Sequence, residues 1–164
     1  MQRKATSYLN KWKAKPQRKP LVIRGARQVG KTWIMREFGN EAFDDVAYIN
    51  FERSKRLQAI FADDFDIKRI ITVFQLETGV SIDENTLILL DEIQEAKGGV
   101  TALKYFCEDA PKYYVIAAGS LLGVSLHQQV SFPVGKVEFL DLYPLDFYEF
   151  LAAMGEQQLV ALLR

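Results

Sequence analysis

Few of the side chains used for metal or redox chemistry occur in this sequence. It holds one cysteine, Cys107, and one histidine, His127. No internal disulfide can form, and neither residue type can build a zinc site of the usual kind. The cysteine usage points to a reducing, cytoplasmic setting. Net charge is also missing, since 21 basic residues balance 21 acidic ones. That removes a global basic field for nucleic acid, though not a local patch. Long apolar runs are absent too. The longest, such as Leu87-Ile88-Leu89-Leu90, have strand length, far short of the roughly 20 residues of a membrane helix.

The 164 residues with 49% hydrophobic content suit one α/β domain with a substantial core. The first nineteen residues form a basic segment with Arg3, Lys4, Lys11, Lys13, Lys15, Arg18 and Lys19 and no acid. They read as an amphipathic helix and linker with a solvated charged face, or as a contact for nucleic acid or an acidic partner. The segment has no apolar stretch of signal-peptide type. Tyr8 and Trp12 share a helix face, and Pro16 and Pro20 interrupt the helix.

From Leu21 onward, strand and helix patterns alternate. Leu21-Val22-Ile23 ends at Gly25, and residues 31–38 have helical character. Residues 46–51 make a second strand, and Ile67, Ile70, Ile71 and Phe74 form a helix stripe. Residues 86–90 make a third strand, and Val100, Leu103, Phe106 and Cys107 mark the next helix. Residues 113–118 and 136–142 make the fourth and fifth strands, and Pro144 opens a helix with Phe147, Phe150 and Leu151. The alternation predicts an α/β fold with a parallel sheet covered on both faces. Ligands of such sheets sit at the carboxyl ends of the strands.

The candidate chemistry falls at those ends. Gly25-Ala26-Arg27-Gln28-Val29-Gly30-Lys31-Thr32 fits the phosphate-loop pattern G-x-x-x-x-G-K-[ST]. The glycines let successive N–H groups wrap an anion, and the following helix aims its positive end at it. Lys31 would set its charge on the β- and γ-phosphates, and the Thr32 hydroxyl would ligate Mg²⁺. Trp33 follows on the first helical turn and completes the expected nucleotide contacts. Arg27 can reach phosphate or a neighbouring acid, whereas Arg24 reads as a structural pair.

Thr86-Leu-Ile-Leu-Leu-Asp91-Glu92 places two carboxylates at the end of a buried strand. Asp91 is assigned to Mg²⁺ and Glu92 to orienting or deprotonating a water. Ser120 is a candidate for the γ-phosphate or that water, or the N-cap of a helix from Leu121. Asn50 can bond Glu92, or simply finish its strand. Lys104 and His127 read as surface residues. Lys136 reads as a solvated strand lysine, or as one facing a nucleotide in a neighbouring subunit. Phe132, Phe139, Tyr143, Phe147, Tyr148 and Phe150 read as a packing stripe rather than a base-stacking platform. The Asn-Lys-x-Asp string that reads guanine is absent, which favours ATP. A small-molecule kinase is disfavoured because arginines thin out after Arg69, with only Arg164 beyond.

The loop and its flank, from Lys19 to Thr32, together with Tyr48-Ile-Asn-Phe-Glu52, Leu90-Asp-Glu-Ile-Gln94, Ala118-Gly-Ser-Leu-Leu122 and Tyr143-Pro-Leu-Asp-Phe-Tyr-Glu-Phe150, resemble a known group. That group is the N-terminal module of bacterial and archaeal ATP-binding proteins of the AAA+ superfamily. The resemblance implies a P-loop NTPase, a three-layer α/β/α fold with a five-stranded parallel sheet of order 5-1-4-3-2. It also implies Mg²⁺-dependent ATP hydrolysis driving change in an attached domain or partner, with an interaction switch of negligible hydrolysis as the alternative. Members usually continue into a C-terminal region. On that pattern, residues 20–164 are the ATPase domain and the chain is truncated before an effector domain, with self-association a further expectation. The group often has Gly-Arg where this chain has Gly135-Lys136. An all-helical lid with a second sensor arginine is not evident here.

Overall fold

The computed structural model describes residues 4–120 and 132–163. Helix α1 (Lys4–Ala14) precedes β1 (Leu21–Arg24) and α2 (Lys31–Ala42). Then come β2 (Asp45–Asn50), α3 (Ile67–Thr78), β3 (Thr86–Asp91), α4 (Gly99–Asp109) and β4 (Tyr114–Gly119). The chain closes with β5 (Glu138–Asp141), α5 (Phe147–Ala153) and α6 (Gln157–Leu163). The sheet is parallel throughout, in the order β2-β3-β4-β1-β5. Read from the other edge this is 5-1-4-3-2, as the resemblance implies.

Period-two alternation sorts the strand residues onto two cores. Val22, Ile88, Leu90, Val115 and Ala117 face α3 and α4. Leu21, Ile23, Leu87, Leu89, Ile116 and Ala118 face α1 and α2. Every residue of β3 is buried, as a central strand covered on both faces requires.

Helix α1 is part of this core rather than an appended arm. Leu9 and Trp12 are fully covered, and the Trp12 indole donates to the Lys19 carbonyl at 2.8 Å. Several charges of the basic segment meet partners elsewhere in the fold. Lys4 pairs with Asp146 at 2.6 Å, Lys15 pairs with Glu138, and the Arg18 guanidinium stacks 3.2 Å from the Tyr114 ring centroid. No helix among the described residues is long and apolar enough to cross a membrane.

Helix α2 runs past Phe38 to Ala42, because Gly39 is there to let β2 approach rather than to end the helix. A Cβ at Gly39 would lie 2.7 Å from Val46 Cγ2. The aromatic stripe divides. Phe132 and Phe139 pack edge to face and join the α3–α4 core. Tyr143, Phe147 and Phe150 are 71%, 61% and 50% exposed, against expectation. Helix α5 has seven residues and begins with an Asp146–Glu149 capping box, so its two turns bury only Leu151. Lys136 lies in the turn before β5, at the amino end of the sheet, and pairs with Glu108 at 3.1 Å.

Because Trp12 fills the space under α1, Trp12→Ala is expected to lower unfolding free energy by about 3–5 kcal/mol. Urea denaturation measures it, and a loss under about 1 kcal/mol would make α1 peripheral to the core.

Candidate functional site

Strand register assembles the site. Asn50 pairs with Asp91, Asp91 with Ala118, and Arg24 with Gly119. The chain exits of β1, β3 and β4 therefore open on one edge, and Gly25, Glu92 and Ser120 follow them. A cavity of about 470 Å³ lies there, lined by Arg27, Gln28, Gly30, Lys31, Thr32, Trp33, Glu52, Glu92 and Ser120.

The loop between β1 and α2 is tightly held. A Cβ on Gly25 would sit 2.4 Å from the Leu142 carbonyl oxygen, so only glycine fits. Gly30 takes φ +91° and starts α2, whose N-terminus receives no side-chain cap from it. Glycine has no side chain to cap the first N–H groups of α2. The Lys31 ammonium donates to the carbonyls of Gly25 at 2.8 Å and Ala26 at 2.5 Å. Lys31 is only 7% exposed. Burial pulls its pKa below the usual lysine range, partly opposed by the charges of Glu92 and Asp91. Trp33, 39% exposed, stands at the rim on the first turn of α2.

Asp91 is 2% exposed. Its Oδ2 accepts from the Thr32 hydroxyl at 2.6 Å and from the Tyr48 hydroxyl at 2.8 Å, while Oδ1 accepts from the Glu92 N–H at 3.1 Å. Tyr48 is half-buried. Burial raises its pKa, the hydrogen bond from Asn50 works against that, and the bond to Asp91 adds to it. The buried polar side chains among the described residues are Lys31, Thr86 and Asp91, so the two charged ones both belong to this site.

Glu92 takes φ +52°, which turns its side chain out of the strand direction into the cavity. Its Oε2 accepts from Ser120 Oγ at 3.2 Å, Ser120 N at 3.4 Å and the Gln94 amide; Oε1 accepts from no described residue. Ser120 is thus brought to Glu92, and its alternative reading as a cap for a helix from Leu121 falls outside the described residues, as does His127. Asn50 does not reach Glu92. Its amide donates to the Tyr48 hydroxyl at 3.3 Å, and its Oδ1 accepts from the N–H groups of Glu52 and Arg53. Asn50 points along β2 toward Asp91's partner, so the latch on Glu92 is Ser120 with Gln94. Arg24 forms its structural pair, a two-bond contact with Asp141 at 2.8 and 3.1 Å.

Tyr48, Glu52 and Gln94 border or support the site, although the sequence reading placed them only in the segments that resemble the family and gave them no role. The further signals are position: Tyr48 stands two residues before Asn50 on the same strand face, and Gln94 lies in the turn after Glu92.

The profile of the AAA domain family matches residues 17–151. The chain belongs to that family. No curated protein matches the sequence of this AAA domain. Its structure is similar to the Walker-type ATPase PABY2304 of Pyrococcus abyssi, with a TM-score of 0.55 and 18% identity over 96% of this chain and 58% of that one. It is also similar to the Orc1 protein of Aeropyrum pernix in complex with DNA, with a TM-score of 0.56 and 14% identity over 93% of this chain and 47% of that one. At these identities the likeness concerns the fold. The AAA domain spans about half the length of these relatives.

Removing the Tyr48 hydroxyl tests the support of Asp91. Tyr48→Phe is expected to lower stability by about 1.5–3 kcal/mol, the range for a hydrogen bond to a charged group. Paired urea curves read the difference, and superimposable curves would remove Tyr48 from the site.

Proposed function

We propose that this AAA domain binds ATP with Mg²⁺ and hydrolyses the β–γ phosphoanhydride, and that the cycle changes the conformation of an attached domain or partner. The observation that carries this reading is the meeting of a buried ammonium, a hydroxyl–carboxylate pair and a second, poised carboxylate on one cavity.

Each group has a task. The N–H groups of the loop and of the first turn of α2 cradle the phosphates, and Lys31 exchanges its two carbonyl partners for β- and γ-phosphate oxygens. The Thr32 hydroxyl and Asp91 carboxylate are hard oxygen donors 2.6 Å apart, a pair that suits Mg²⁺. No group of three or more His, Cys, Asp or Glu able to hold a metal occurs among the described residues. That fits an ion that relies on phosphate oxygens and water for its other ligands. Bound there, Mg²⁺ would neutralise charge on the phosphates. Trp33 at the rim would meet the ribose or base.

Glu92 orients a water whose oxygen forms a bond to the γ-phosphorus. The bond to the β-bridging oxygen breaks, and its electron pair leaves with ADP. The water proton passes through the Glu92 carboxylate to the released phosphate. Ser120 and Gln94 hold one carboxylate oxygen and leave the other to the water. A DNA partner is no part of this reading, since the likeness to DNA-bound Orc1 concerns the fold and the formal charge of the chain is balanced.

Lys31→Ala is expected to abolish heat of MgATP binding in calorimetry, and Glu92→Gln to keep that heat while phosphate release stops. Equal turnover by Glu92→Gln and the parent would remove Glu92 as the base. Thr32→Ala is expected to leave binding of metal-free ADP within about threefold and to weaken the gain in affinity that Mg²⁺ brings. An unchanged gain would exclude Thr32 as a ligand.

A further inference from the structure

We infer that Tyr48 is a positioning residue of the Mg²⁺ site: its hydroxyl, aimed by Asn50, shares one oxygen of Asp91 with the Thr32 hydroxyl and fixes that carboxylate for the metal. The inference rests on the Mg²⁺-dependent ATP reading above and deepens it by bringing a neighbouring strand into the metal site.

Period two along the strands puts the parts on one face. Leu87 and Leu89 of β3 face the core under α2, and Asp91 continues that row. Val46 and Tyr48 of β2 pack on the same core, and Asn50 continues theirs. Register sets Asn50 opposite Asp91. Thr32 stands on the first turn of α2. The Arg36 guanidinium, one helical turn further on, lies 4.9 Å from the Tyr48 ring centroid.

The direction of each proton follows from its partners. Asn50 Oδ1 accepts from the N–H groups of Glu52 and Arg53 at 3.0 and 3.1 Å, so the other end of the amide is its nitrogen. That nitrogen donates to the phenol oxygen at 3.3 Å. The phenol proton is thereby directed to Asp91 Oδ2, 2.8 Å away, where Thr32 also donates at 2.6 Å. An ionised carboxylate offers about four lone-pair sites. The two hydroxyls occupy Oδ2, and the Glu92 N–H takes a place on Oδ1. Thr32 lines the cavity, whereas Asp91 is 2% exposed and stands behind its wall. The carboxylate therefore serves an ion from behind, taking the Thr32 proton and leaving the lone pairs of that hydroxyl for the metal.

A water in the place of the phenol could exchange or leave when a ligand fills the cavity. A hydroxyl carried on a packed ring cannot. Mg²⁺ demands near-octahedral geometry, so a carboxylate free to turn would hold it less well. Outer-shell partners of this kind are typically worth about 10–100-fold in metal affinity.

The test uses the whole chain. Calorimetry first measures ADP binding by the parent with and without Mg²⁺. No binding in either case would end the nucleotide reading, and binding that Mg²⁺ does not tighten would end the metal reading; either result takes this inference with it. Where Mg²⁺ does tighten binding, Tyr48→Phe is expected to lose roughly tenfold or more of that gain, while metal-free ADP keeps its Kd within about threefold. The metal-free value also shows that the variant is folded around an intact phosphate loop. Mn²⁺, which takes the same oxygen ligands and is counted by its EPR signal when free, reads the ion directly. Its Kd on the ADP-loaded variant is expected to rise by the same factor. The inference is overturned if Tyr48→Phe keeps both the Mg²⁺ gain and the Mn²⁺ Kd within threefold of the parent. It is overturned equally if metal-free ADP affinity falls as far as the metal-dependent part, which would make Tyr48 a support of the fold alone.

Discussion

The burial of one ammonium and one carboxylate at the carboxyl edge of the sheet is the constraint on which the site depends. Lys31 and Asp91 are the charged side chains that the described fold covers, and they do not form an ion pair with each other. Taking an ion out of water costs several kcal/mol unless other groups solvate it. The fold solvates them separately: two carbonyls face the ammonium, and two hydroxyls and an N–H face the carboxylate. Two hydrophobic cores hold the strands in the register that brings these donors and acceptors to their places. Anything that slips β3 by one residue moves Asp91 to the other face and takes it from the two hydroxyls that solvate it.

Backbone strain gathers at the same edge. The described residues other than glycine with positive φ are Gln28 and Glu92, and both line the cavity. Their side chains are thereby turned out of the courses that a helix or strand would set. Elsewhere the fold relies on ordinary devices, such as Asp66 capping α3 with its carboxylate and Gly79 ending it at φ +69°. The contrast follows from the different demands. A helix needs only its ends satisfied, whereas this cavity needs side chains from three chain exits aimed at one point.

Much of this was legible in the sequence because it is local. The phosphate loop is eight contiguous residues, Asp91 and Glu92 adjoin, and strand–helix alternation predicts the parallel sheet. What stayed hidden depends on contacts between distant segments. That Tyr48 supports Asp91 requires the β2–β3 register. That Glu92 is latched by Ser120 rather than Asn50 requires the positive φ at Glu92, which nothing in a Leu-Asp-Glu string encodes. That Gly39 lets β2 approach α2 requires the contact with Val46. Phe147 and Phe150 are three apart, as on a packed helix face, yet the two turns of α5 bury only Leu151, and Tyr143 lies ahead of that helix.

The same close packing ties the loop to the end of the chain. Gly25 abuts the Leu142 carbonyl, the Leu142 N–H bonds to the Arg24 carbonyl at 2.7 Å, and Arg24 grips Asp141 with two bonds. Two residues past Pro144, Asp146 caps α5 and pairs with Lys4 at the start of α1. Packed interiors have little room to absorb a shift, so a displacement of the loop at Gly25 passes by direct contact into residues 141–146. Residues 143–147 carry exposed apolar side chains, with Tyr143 and Phe147 more than half exposed. A displacement at Gly25 therefore has a short mechanical route out of the core, running through β5 rather than through the β2 side, where the Tyr48 hydroxyl holds Asp91 and Asn50 holds Tyr48.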